Sequence, residues 1–146
     1  MEGILISIKT GEITGSLPEP TPEEILAAER AAINAERDRR LAADFEFQGK
    51  MYQRDSVSAQ RITGAATLAG FAMAQGAQPE NDHWHGGEQP FAWIASDNSL
   101  TLMDAQTAFA FGSECASVET RLVLAAKALR DADPIPDDFT DDQYWP

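Results

Sequence analysis

Alternation opens the chain. Ile4, Ile6 and Ile8 are separated by other residues, Lys9-Thr10-Gly11-Glu12 has turn character, and Ile13 follows, which predicts a short hairpin over residues 3–15. "SLPEPTP" is then a stiff linker in which no helix begins before its last proline. Thr21-Pro22-Glu23-Glu24 is a helix start, with Thr21 as cap and Glu24 three residues on to close a capping box. The helix expected over 22–43 is unusually polar. Ile25, Leu26, Ile33 and Leu41 are its large apolar residues, and Ile25, Ala28, Ala32 and Ala35 form a narrow stripe at spacings of three and four. A helix so poor in apolar surface is marginal alone, so the pattern predicts packing along a second copy or a neighbouring protein.

Beyond it the period returns to two. Phe45 and Phe47, a turn at Gly49-Lys50, and Met51-Tyr52 predict a second hairpin. Asp55 or Ser58 caps a helix expected over 58–75, with Ile62, Ala65, Ala66, Ala69, Ala72 and Met73 as its packing face. Gly64 and Gly70 are read as places of close backbone approach. "FAWIASDNSLTLMD" predicts a third hairpin turning at Asp97-Asn98, with Trp93 supplying a large ring to a core otherwise rich in alanine. Asp104 caps a last helix to about Leu129, whose apolar positions are Phe109, Phe111, Val118, Leu122, Leu124, Ala125 and Leu129. "DPIPDDFTDDQYWP" reads as an extended tail in which Ile135, Phe139, Tyr144 and Trp145 can clip onto the body.

The elements sum to an α+β fold: three main helices interleaved with short antiparallel hairpins, preceded by an N-terminal hairpin and proline-rich linker. The expected divisions are an attachment segment at 1–21, a polar helix at 22–43, a compact α+β body at 44–130 and an acidic tail at 131–146.

Charge narrows the range of partners. With a net charge of -13 the chain is a poor match for phosphate backbones or anionic membrane surfaces. Six acids fall in the last sixteen residues, with no basic residue after Arg130. Cys115 is the only cysteine, so no intrachain disulfide forms. The start does not read as a secretion signal, and "ITGAATLAGFAMAQGA" is too short and too rich in Ala and Gly to be expected to span a bilayer.

Chemistry is sparse. "NDHWHGGEQPF" holds both histidines, His83 and His85, flanking Trp84, with Asp82, Glu80 and Glu88 near in sequence. A catalytic zinc needs three firm ligands on ordered elements, and this loop offers two imidazoles and no thiolate. There is no nucleophile elbow, no phosphate loop and no pair of carboxylates bracketed by apolar residues. The expectation is a protein that is not an enzyme and carries no metal or cofactor.

Three segments resemble an uncharacterised domain family of tailed-bacteriophage tail-fibre and tail-fibre-assembly proteins: "AINAERDRRLAADFEFQGKMYQRD", "RITGAATLA" and "WIASDNSLTLMDAQTAFAFG", closed by "ALRDADPIPDDFTDDQYWP". The resemblance implies a structural virion component at the distal tail or fibre, made in the host cytoplasm. It would act as adaptor or terminal domain on other tail proteins and as a homo-oligomer, with a trimer favoured. Ile4, Ile6, Ile8, Ile25, Leu26, Ala28, Ala32, Ile33 and Ala35 are the candidate partner interface. Two alternatives are an assembly chaperone that leaves the mature particle, and a receptor- or glycan-binding module stacking sugars on Trp84, His85 or Trp145.

Overall fold

The computed structural model describes residues 15–146. The expected N-terminal hairpin with Ile4, Ile6 and Ile8 lies outside them. Three helices are joined by two hairpins: α1 (Pro22–Leu41), β1 (Phe45–Phe47), β2 (Lys50–Tyr52), α2 (Ser56–Ala74), β3 (Ala92–Ile94), β4 (Leu100–Leu102) and α3 (Ala105–Asp131). A single 3-10 turn, Asp142–Tyr144, follows. The α+β architecture matches the reading from periodicity.

Caps set the helix starts. Thr21 and Glu24 form the reciprocal capping box of α1. Asp55, and not Ser58, caps α2 by accepting from the Val57 and Ser58 amides. Asp104 caps α3 through the Thr107 amide at 2.7 Å. The first hairpin turns one residue earlier than expected. Gln48 and Gly49 hold φ of 49° and 80°, the mirror-image turn that suits the strand twist, so Lys50 is already paired with Phe47. The second hairpin reverses at Asp97-Asn98 as expected, with Asn98 at φ 68° and Asp97 accepting from the Ser99 amide.

Helix α3 is the spine, and its two halves serve two cores. Ala105, Ala108, Phe111 and Cys115 face a cluster with Phe45, Phe47, Tyr52, Ile62, Ala69, Ala95 and Met103. Phe111 is its hub: the rings of Tyr52, Phe47, Phe45 and Trp93 lie 4.8, 5.2, 5.4 and 5.5 Å from its own. Leu122, Ala126 and Leu129 face a second cluster with Ile33, Ile135 and Trp145, and Val118 touches both. Phe109 and Leu124, expected in the interior, are exposed because they fall off this stripe.

Gly64 is not the glycine that allows close approach, since a Cβ there would meet nothing within 4 Å. Gly112 is. A Cβ on it would come within 2.2 Å of the Ala66 Cβ, so α2 and α3 cross where neither can carry a larger residue. Gly112→Ala is therefore expected to destabilise the fold by roughly 1–3 kcal/mol, the cost of overpacking, despite the better helix propensity of alanine. Gly64→Ala is expected to stabilise by about 0.5–1 kcal/mol. Urea unfolding of the two variants measures both.

Candidate functional site

The polar helix α1 does not stand apart from the body. It runs antiparallel to the C-terminal half of α3: Arg30 Nε donates to the Arg130 carbonyl at 3.2 Å, and Arg130 donates to Asn34 Oδ1 at 2.7 Å. Ile33 is fully buried against Leu122, Ala126, Leu129, Ile135 and Trp145. Its assignment to a partner interface is thus corrected: at about 100° per residue it points roughly a third of a turn away from the Ile25–Ala28–Ala32–Ala35 stripe, toward α3. The stripe itself is exposed along its whole length.

The acidic tail closes this arrangement. Ile135 and Trp145 are buried, with Phe139 and Tyr144 packed beside them. Trp145 Nε1 donates to the Phe139 carbonyl at 2.8 Å. Arg40 is the clasp: it pairs with Glu36 at 2.6 Å and with Asp142 at 2.8 Å, donates to the Thr140 carbonyl, and lies 5.0 Å above the Trp145 ring. Trp145 is only 7% exposed, which corrects its reading as a platform for sugars.

Because α3 ends at Asp131, α1 overhangs it. Every residue from Pro22 to Ala28 is exposed, Ile25 and Leu26 among them. The overhang is about 10 Å at 1.5 Å per residue.

The loop before β3 is tied to the body by several contacts. Trp84 is half-buried, its indole N–H donates to the Met103 carbonyl at 3.0 Å, and its ring lies 4.8 Å from Phe91. His85 sits 5.7 Å from Trp84 and 5.5 Å from Phe91, centroid to centroid. Asp104, besides capping α3, accepts from the Glu80 amide, tying the loop's start to the helix. Among the described residues no group of three or more His, Cys, Asp or Glu is placed to hold a metal. Burial pushes the Cys115 thiol up, away from a reactive thiolate. Among the described residues no helix is long and apolar enough to cross a membrane.

Two features escaped the reading of the sequence. Arg54 is 4% exposed and donates to the Arg40 carbonyl at 3.2 Å, linking the end of α1 to the start of α2. The other is apolar surface: Val57, Leu68 and Phe71 on α2, and Ile94, Leu100 and Leu102 on the second hairpin, are all exposed. A signal for it was present, since Arg61 is the only charged residue between Asp55 and Glu80.

Residues 24–143 match a domain of unknown function, DUF4376. The chain belongs to this family. No curated protein and no solved structure matches it. The DUF4376 match begins inside the first turn of α1 and takes in the first core, all of the second except Trp145, and most of the tail, leaving residues 1–23 and 144–146 outside. Helix α1 and the tail are therefore parts of the DUF4376 unit, in keeping with their burial against α3.

The clasp depends on protonation. Glu36 is held down to about 2, chiefly by its hydrogen bonds from Arg39 and then Arg40, which outweigh its desolvation. A carboxyl depressed in the folded state stabilises the fold above its ordinary value near 4.5, and that contribution is lost as pH falls from there through about 2. Thermal melts across that range are expected to show Tm falling with acidification, and the fall to be smaller in Glu36→Gln. Equal slopes in the two proteins would remove Glu36 from the clasp.

Proposed function

We propose that this protein is a structural component of a phage tail, at its distal end or on its fibre, joined to neighbouring tail proteins through its N-terminal side. Residues 1–21 and the overhanging turns of α1 form the attachment arm, and the acidic DUF4376 body is what the arm carries. The overhang supports this reading best. A helix of a small protein gains stability by packing its apolar residues, yet α1 extends Ile25 and Leu26 past the end of α3, the helix it packs along. It does so next to the segment that lies outside the family match. The resemblance of "AINAERDRRLAADFEFQGKMYQRD" and "WIASDNSLTLMDAQTAFAFG" to domains of tail-fibre and fibre-assembly proteins supports the location.

The arm separates from the fold in a testable way. A chain lacking residues 1–20 retains Thr21 and the whole of α1, and Ile25→Glu with Leu26→Glu changes exposed positions only. Both are expected to fold and melt like the wild type. In phage particles carrying either variant, quantitative mass spectrometry is expected to show incorporation reduced by about tenfold or more, the loss of at least 1.4 kcal/mol of docking energy. Purified particles that lack even the wild-type chain, together with a co-expressed fibre made more soluble by it, would replace this reading with that of an assembly chaperone.

A further inference from the structure

The exposed apolar side chains left over from the two cores are not scattered. On α2, Val57, Arg61, Gly64, Leu68 and Phe71 recur at spacings of four and three, one stripe on the side away from Ile62 and Ala69. On the second hairpin, Ile94 pairs with Leu100 and Ala92 with Leu102, so these four share one face. Trp93 and Thr101 occupy the opposite face, where Trp93 meets Phe111 and Thr101 accepts from Tyr52. An open groove of about 440 Å³ runs between the first turns of α2 and β3, lined by Ser58 and Arg61 on one side and by Ala92, Trp93 and Ile94 on the other. Leu68, Phe71, Ile94 and Leu100 are 62%, 64%, 59% and 67% exposed.

We propose that this face of α2 and the β3–β4 hairpin is where a second copy of the chain docks, in a two-fold pair. Charge selects that occupant. The molecule carries -13, so two copies approaching on most of their surface repel each other. Arg61 is the one charged residue of α2, and the hairpin face of Ala92, Ile94, Leu100 and Leu102 carries no charge. It is the surface on which like molecules meet at least electrostatic cost. A two-fold contact presents the same apolar stripe from both sides, so each copy covers the leucines and Phe71 of the other. The six large side chains expose on the order of 500 Å² per copy, and a pair therefore covers on the order of 1,000 Å², the lower bound for a specific interface. The self-association expected from the α1 stripe thus moves to α2, leaving the arm free for a different protein. This inference is independent of where the protein resides.

Sedimentation velocity on the full chain, from low micromolar to about 100 µM, reads the pair directly. The wild type is expected to dimerise, and more tightly as salt is raised, because screening removes repulsion without weakening an apolar contact. Leu68→Glu with Leu100→Glu is expected to weaken dimerisation by about 100-fold with an unchanged circular dichroism spectrum. Ile25→Glu with Leu26→Glu is expected to leave it unchanged. As a second measurement that does not rely on a disruptive change, Gly64→Cys places a thiol in open space within the stripe. A bis-maleimide is expected to link two such chains, whereas the buried Cys115 of the wild type gives no product. A wild type monomeric throughout that range overturns the proposal and leaves the face to some other apolar partner. A dimer indifferent to the α2 and hairpin changes, and unlinked through Gly64→Cys, overturns it too.

Discussion

Phe111 lies where three separately formed pieces must meet. The first hairpin brings Phe45, Phe47 and Tyr52 to it, the second brings Trp93, and α2 lies against the same helix at the next residue, Gly112. Neither two-stranded hairpin is stable in water by itself, because each needs a hydrophobic face covered by something else. Phe111 covers both. Its neighbour Gly112 sets how closely α2 approaches, and that approach brings Ile62 and Ala69 into the same cluster. Enlarging Gly112 or shrinking Phe111 would therefore disturb both hairpins and α2 at once.

From that centre the rest follows along α3. A helix of 27 residues is about 40 Å long, more than one small core can cover. The chain supplies a second core from its two ends: α1 from the N-terminal side and the tail from the C-terminal side. Neither is apolar enough to hold without help. Ile33 is the one buried residue of α1, and Ile135 and Trp145 are the buried residues of the tail. The deficit is met by charge-assisted bonds, with Arg40 joining Glu36, Asp142, the Thr140 carbonyl and the Trp145 ring in a partly sheltered position. The clip expected of Ile135, Phe139, Tyr144 and Trp145 is thereby a component of the fold.

The elements whose cause is local were legible in the sequence. Thr21, Asp104 and Asp97-Asn98 are short-range signals, and they set the starts of α1 and α3 and the second turn where expected. What depends on distant partners was not. Nothing within α1 says that Ile33 and not the alanine stripe turns inward, because the decision is made by Leu122 and Leu129, some ninety residues away. Gly64 and Gly112 are indistinguishable as letters in helices, yet only one has another backbone beside it. Trp84 and Trp145 drew notice as aromatic residues in loops, and each donates its indole N–H to a backbone carbonyl within the same molecule. The exposed face of α2 was hidden by its composition, since alanine-rich sequence reads as packing on every side.

Charge distribution links these observations. The acids are concentrated on α1 and the tail, where arginines of α1 partly offset them, while Ser56 to Pro79 carries a single positive side chain. A molecule of -13 would repel its own copies on every side if its charge were evenly spread. Segregating the charge leaves one side where apolar contact is opposed by little more than the entropy of association. Among the described residues, α1 and the tail make the densely charged side, and the outer stripe of α2 the nearly neutral one. Two faces so different in charge can be occupied at the same time without competing, which the proposed pairing and the proposed attachment both require.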